Sequence, residues 1–128
     1  MDYVNVLLAG FAGYLFGAVW YGILGARWQG AVGLGSEDVK PAKNIGAYVL
    51  GIIANILVAG MIRHIFESSG VAGPLNAAVS GLGLGLFIAG SYIALNYAFA
   101  RRPMTLSFID IGHAAGSATV IAVVLDLL

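Results

Sequence analysis

Four long apolar runs, interrupted mainly by small or weakly polar side chains, divide this chain at Val4 to Leu24, Ile45 to Ile65, Leu75 to Phe99 and Leu106 to Leu128. Each is long enough to cross about 30 Å of hydrocarbon at about 1.5 Å of rise per residue. The pattern predicts an all-α fold, an integral membrane bundle of four transmembrane helices forming one domain over residues 1–128. The first run follows Met1 and Asp2 without a basic stretch and exceeds the apolar core of a signal peptide, so it is expected to be retained as a helix. Only glycine and serine interrupt the third run, and membrane helices tolerate these where neighbours approach closely.

The connections are short. Gly25 to Asn44 is the one with room for structure, whereas Glu67 to Pro74 and Ala100 to Thr105 read as turns. In the first connection Trp28, Val32 and Leu34 suit an interfacial segment at headgroup level. Ser36 followed by Glu37 and Asp38 reads as a helix N-cap with acids in its first turn, and Pro41 fits the start of the second helix better than its interior. Helix pairs one–two and three–four form similar hairpins, but the two halves share only hydropathy.

Composition narrows the class further. Hydrophobic residues make up 60% of the chain and charged residues 9%, against the roughly 25% charge of a soluble domain. So few charges cannot wet a protein surface, so lipid must cover it. Formal net charge is zero, which removes the case for a nucleic-acid-binding surface. Without cysteine there is no disulfide, thiolate metal site or cysteine nucleophile.

The basic residues are uneven. Arg27, Lys40 and Lys43 fall in the first connection and Arg101 and Arg102 in the third, leaving Arg63 near the other face. Basic loops favour the cytoplasmic side, so these connections are expected inside and both termini outside. Asp2, Glu67 and Asp126 gather on the outer side.

Glycine is the most informative residue type, with 19 in the chain. In lipid, small residues let helix backbones approach and gain dispersion contacts. Gly10, Gly13 and Gly17 share one stripe of the first helix, flanked by Tyr14 and Tyr21 and continued by Trp20 toward the cytoplasmic interface. Gly81 and Gly85 mark the third helix, Gly112 and Gly116 the fourth. These are expected to be helix-packing positions, with Trp20, Tyr21 and Trp28 interfacial.

Few polar residues enter the apolar runs. Asn55 lies near the middle of the second, with Tyr48 and Gly51 on its stripe, and Ser91, Tyr92 and Asn96 approach the cytoplasmic end of the third. Asp110 is the only acid well inside a run, with His113 and Ser117 on the same helical face. Gly112 and Gly116 are read as roughly opposite, which makes the fourth helix the most enclosed. An intramembrane acid is costly and usually faces a bundle or a water cavity. Asp110, His113, Ser117 and Asn55 therefore form the candidate intramembrane polar site. The leading expectation is that Asp110 clamps the cytoplasmic end of the bundle, its carboxylate aided by the helix N-terminus and Arg101 or Arg102. The competing expectation is handling of a proton or cation, with His113 titrating near neutral pH.

Asp110 and His113 supply two metal ligands where a catalytic metal generally takes three from the protein. His64 and His113 sit near opposite faces, so they do not bracket a haem. Ser117, His113 and Asp110 share one stripe on one helix and cannot converge on a substrate as a hydrolase triad does. Gly81, Gly83 and Gly85 lack the lysine and strand of a phosphate loop. No enzyme activity, cofactor or metal is expected.

The residues Gly17-Ala18-Val19-Trp20-Tyr21, then Gly25 and Trp28, then Glu37-Asp38-Val39-Lys40, resemble a small bacterial four-helix membrane family catalogued as domain of unknown function 1761. Arg102-Pro103 and Ile109-Asp110-Ile111-Gly112-His113 are similar to its last helix, in which the resemblance implies asparagine more often at the Asp110 position. It implies a bacterial cytoplasmic membrane and no activity. The expected function is a structural or accessory subunit, whose partners are the lipid bilayer and other transmembrane helices, either copies of itself or a larger membrane complex. The alternative is a small oligomeric transporter or channel using Asp110 and His113.

Overall fold

The computed structural model describes residues 3–128; Asp2, placed above on the outer side, lies outside them. Four helices long and apolar enough to span a membrane account for most of the chain: α1 (Tyr3–Val32), α2 (Ile45–Ser69), α3 (Pro74–Phe99) and α4 (Met104–Leu127). The fold is an all-α bundle. Its centre is α4, which packs against the other three helices; α2 also packs on α1, while α3 lies on the far side and packs chiefly on α4. α4 accordingly carries the most buried residues, including Leu106 and Ile121.

Helix ends follow backbone chemistry rather than hydropathy. α1 runs eight residues past the apolar run, because Arg27, Trp28 and Gln29 are polar or interfacial without breaking a helix, and Ala26 favours one. It stops where Gly33 takes φ 82°, and the N–H groups of Gly33 and Leu34 both reach the Gln29 carbonyl. Trp28 and Val32 are therefore residues of α1 and not of the connection that follows it. Gly70 (φ 70°) ends α2 in the same way through the Phe66 carbonyl. Arg101 does so for α3 at φ 56°, an uncommon conformation for a side chain other than glycine, with the Arg102 N–H reaching the Tyr97 carbonyl.

The first connection shrinks to residues 33–44, and Ser36 caps no helix. Instead the Gly35 N–H donates to Asp38 Oδ2 at 2.9 Å, closing a turn. Pro41 begins a separate 3₁₀ turn, Pro41–Lys43, ahead of α2.

Within α3, Leu84–Ala89 is π-helical, so the Gly90 N–H bonds the Gly85 carbonyl five residues back. The positions buried against α4 are Ala77, Gly81, Gly85 and Gly90, at spacings of four, four and five. The extra residue turns everything beyond it by about 100° relative to an unbroken α-helix.

The bundle has two unlike ends. Val6, Ala9, Ala59, Ile62, Phe66, Ala77, Ile121 and Ala122 form an apolar core toward the end that holds the α2–α3 turn. There Asp126 Oδ1 accepts the Gly73 N–H at 2.8 Å, tying that turn to α4. Arg27, Lys40, Lys43, Arg101 and Arg102 gather at the other, basic end, where Arg102 Nη1 lies 3.5 Å from the Val32 carbonyl.

Candidate functional site

Asp110 is the seventh residue of α4, about 9 Å along the helix from its start. That is beyond the first turn, so the unpaired N–H groups of the helix start do not serve it. No basic residue pairs with it either: the ion pairs among the described residues are Lys40–Glu37 and Arg63–Glu67. Its partners are phenols. Tyr21 Oη of α1 donates to Oδ1 and Tyr97 Oη of α3 donates to Oδ2, each at 2.5 Å. Two hydroxyl donors on one carboxylate are charge-assisted hydrogen bonds, among the strongest neutral donors can make. They tie α1 and α3 together through α4.

The π segment decides which α3 residue does this. Continued from Gly85 in α-helical register, the face toward α4 would carry Tyr92 and Asn96. Past the five-residue step it carries Gly90, Ile93 and Tyr97, and leaves Ser91, Tyr92 and Asn96 exposed. Ser91 Oγ turns back to donate to the Phe87 carbonyl. Ser91, Tyr92 and Asn96, the polar residues expected toward the cytoplasmic end of this helix, thus stay off the site, and Tyr97, which the sequence does not single out, enters it. The only trace of the step in the sequence is the lengthened glycine interval, Gly81, Gly85, Gly90.

Aromatic rings pack round the carboxylate. Tyr21 lies against His113 with ring centres 5.0 Å apart, and edge-on to Trp28 at 6.1 Å. Phe16 stacks on Trp20 at 5.7 Å and on His113 at 6.5 Å. Trp20 Nε1 donates to the Ile109 carbonyl at 2.9 Å. Deeper in the bundle Ser117 Oγ donates to Asn55 Oδ1 at 2.8 Å, while Asn55 Nδ2 donates to the Gly51 carbonyl at 2.8 Å. The four candidate polar residues thus fall into two groups, Asp110 with His113 and Ser117 with Asn55.

The glycines explain how helices come this close. A Cβ on Gly17 would lie 2.7 Å from His113 Nε2, and one on Gly13 would lie 2.6 Å from Ile121 Cδ1 and 2.7 Å from Asn55 Oδ1. In return, Gly112 receives the Trp20 ring, which would sit 2.5 Å from an added Cβ, and Gly116 receives the Phe16 ring. Polar and glycine faces of α4 are therefore not opposed. Their centres are about 110° apart at about 100° per residue, and both engage α1. Elsewhere backbone meets backbone: Gly10 lies against Ile56 Cα, Gly81 against the Ala118 carbonyl, and Gly85 against the Ala114 carbonyl and Ala115 Cα. Two open depressions of about 470 and 330 Å³ lie at the end opposite Asp110, the smaller lined by Arg63, Glu67 and Asp126; neither reaches the tyrosine cluster.

A carboxylate held by two phenols, inside four apolar helices interlocked through glycine, defines a multi-pass membrane protein stitched together at one end by polar contacts. The chain belongs to the DUF1761 family, described as a protein of unknown function, whose model matches residues 4–126. No curated protein and no solved structure matches it.

Proposed function

We propose that this protein is a non-catalytic helix-packing subunit of a bacterial cytoplasmic membrane, working as a homo-oligomer or within a larger membrane complex. The observation that carries this reading is the use of the intramembrane polar groups on one another. Both Asp110 oxygens accept tyrosine hydroxyls, and Ser117 bonds Asn55. Polar groups spent in this way hold helices together instead of lining a path.

Surface left for a partner supports the same reading. Ala18, Gly22 and Ala26 lie exposed at four-residue spacing on α1, and a Cβ on Gly22 would meet nothing within 4 Å. Five basic residues at one end favour that end inside the cell and both chain ends outside. The test is gentle detergent extraction followed by size and mass analysis. A self-assembly or a reproducible complex is the expected result; a lone monomer under every mild condition would contradict the proposal.

A further inference from the structure

We propose that α3 has a second register, in which the π segment closes to α-helix and Asn96 replaces Tyr97 as the hydrogen-bond donor to Asp110. This inference is independent of the accessory reading. A π turn holds one residue more than the α-helix around it, and such segments recur at functional sites because one residue can be absorbed or released there. Closing Leu84–Ala89 to α-helix would advance the face toward α4 by one position. Ala89 would take the place of Gly90, Tyr92 that of Ile93, and Asn96 that of Tyr97.

The first of these exchanges is one the structure can accept. At Gly90 a Cβ would stand 3.0 Å from Ile111 Cγ2 and 3.3 Å from the Gly85 carbonyl. The isoleucine methyl need yield only by tenths of an ångström, so alanine fits where a larger residue would not. Asn96 is exposed beside Tyr97, and its side chain makes no hydrogen bond among the described residues. Its amide is a donor of the kind the carboxylate needs. Rotation of the Gly90–Phe99 half meets little resistance elsewhere, since α3 packs chiefly on α4. The residue released is taken up in the Ala100–Pro103 turn, where Arg101 already occupies the left-handed region. Tyr21 keeps its hold on Oδ1 throughout, so only the α3 side of the clamp changes.

The chain has no cysteine, so disulfide trapping reads the register without background. A Gly90→Cys/Ile111→Cys pair reports the observed register and an Ala89→Cys/Ile111→Cys pair the second one. Both are expected to cross-link in membranes, the second more slowly. Tyr97→Phe should raise the rate of the 89/111 pair about tenfold, whereas Asn96→Leu, or deletion of Ile88 to remove the extra residue, should suppress it. Formation of the 90/111 pair shows that each background is folded. If that pair forms but the 89/111 pair does not, even with Tyr97→Phe, the second register does not exist. Failure of the 90/111 pair itself would remove the observed register and the proposal with it.

Discussion

Replacing Gly85 by alanine adds one methyl group where α3 and α4 touch through their backbones. The new Cβ would lie 2.5 Å from the Ala114 carbonyl oxygen and 2.6 Å from Ala115 Cα. Non-bonded heavy atoms settle at about 3.5–4.0 Å, so the helices must part by about 1 Å. Neither neighbour is a side chain that can swing away. A separation of that size forfeits between about a quarter and a half of the dispersion energy of the atoms facing across the gap. Overpacking of this kind costs about 1–3 kcal/mol, against at most about 1 kcal/mol gained by exchanging glycine for a better helix former. The net expectation is a loss of about 1–2 kcal/mol. Gly83→Ala, on the same helix, is the control: its Cβ meets nothing within 4 Å, so it keeps or slightly raises stability. Because the first displacement opens the seam for the second, Gly81→Ala combined with Gly85→Ala should cost less than the two separately. Equilibrium unfolding in detergent micelles measures all four variants. Gly85→Ala matching Gly83→Ala would refute the close backbone contact.

Other residues give further checks. Tyr21→Phe and Tyr97→Phe should each cost about 1–2 kcal/mol in the same assay by removing a donor from Asp110, while Tyr92→Phe, whose ring is exposed, should be neutral. Ser117→Ala and Asn55→Ala should show a coupling of about 0.5–1 kcal/mol in a double-mutant cycle; strict additivity would mean that their hydrogen bond contributes nothing. Single cysteines at Ser36 and Gly70 should label from opposite sides of the membrane, Ser36 from the cytoplasm. Labelling of Ser36 from outside would reverse the proposed orientation.

Much of the architecture was legible because hydropathy and helix length speak directly to a bilayer: four runs became four spanning helices. What hydropathy cannot mark is where a helix stops. α1 ends at Gly33 because glycine accepts a left-handed backbone there, eight residues after the apolar run fades. The Asp110 site was half legible. An acid inside an apolar run identifies itself by its cost, and Tyr21 was already noted beside the glycine stripe. Tyr97 was hidden because its facing depends on a π turn, a backbone event with no strong residue signature. Reading 100° per residue through Leu84–Ala89 puts Asn96 where Tyr97 actually stands. The glycine contacts were visible as stripes, but their partners were not: that Gly17 faces His113 and Gly112 faces Trp20 depends on helix order and rotation, which one sequence does not encode locally.

In the proposed function Asp110 clamps helices and carries nothing across the membrane. Asp110→Asn decides it, since an amide keeps the shape, still accepts from one tyrosine and donates to the other, and removes a charge that is costly in lipid. The measurement is proton flux after a pH jump in proteoliposomes of the wild type and Asp110→Asn, each verified for normal assembly. No flux above empty vesicles is expected in either. Wild-type flux that disappears in a normally assembled Asp110→Asn would contradict it and make Asp110 a carrier.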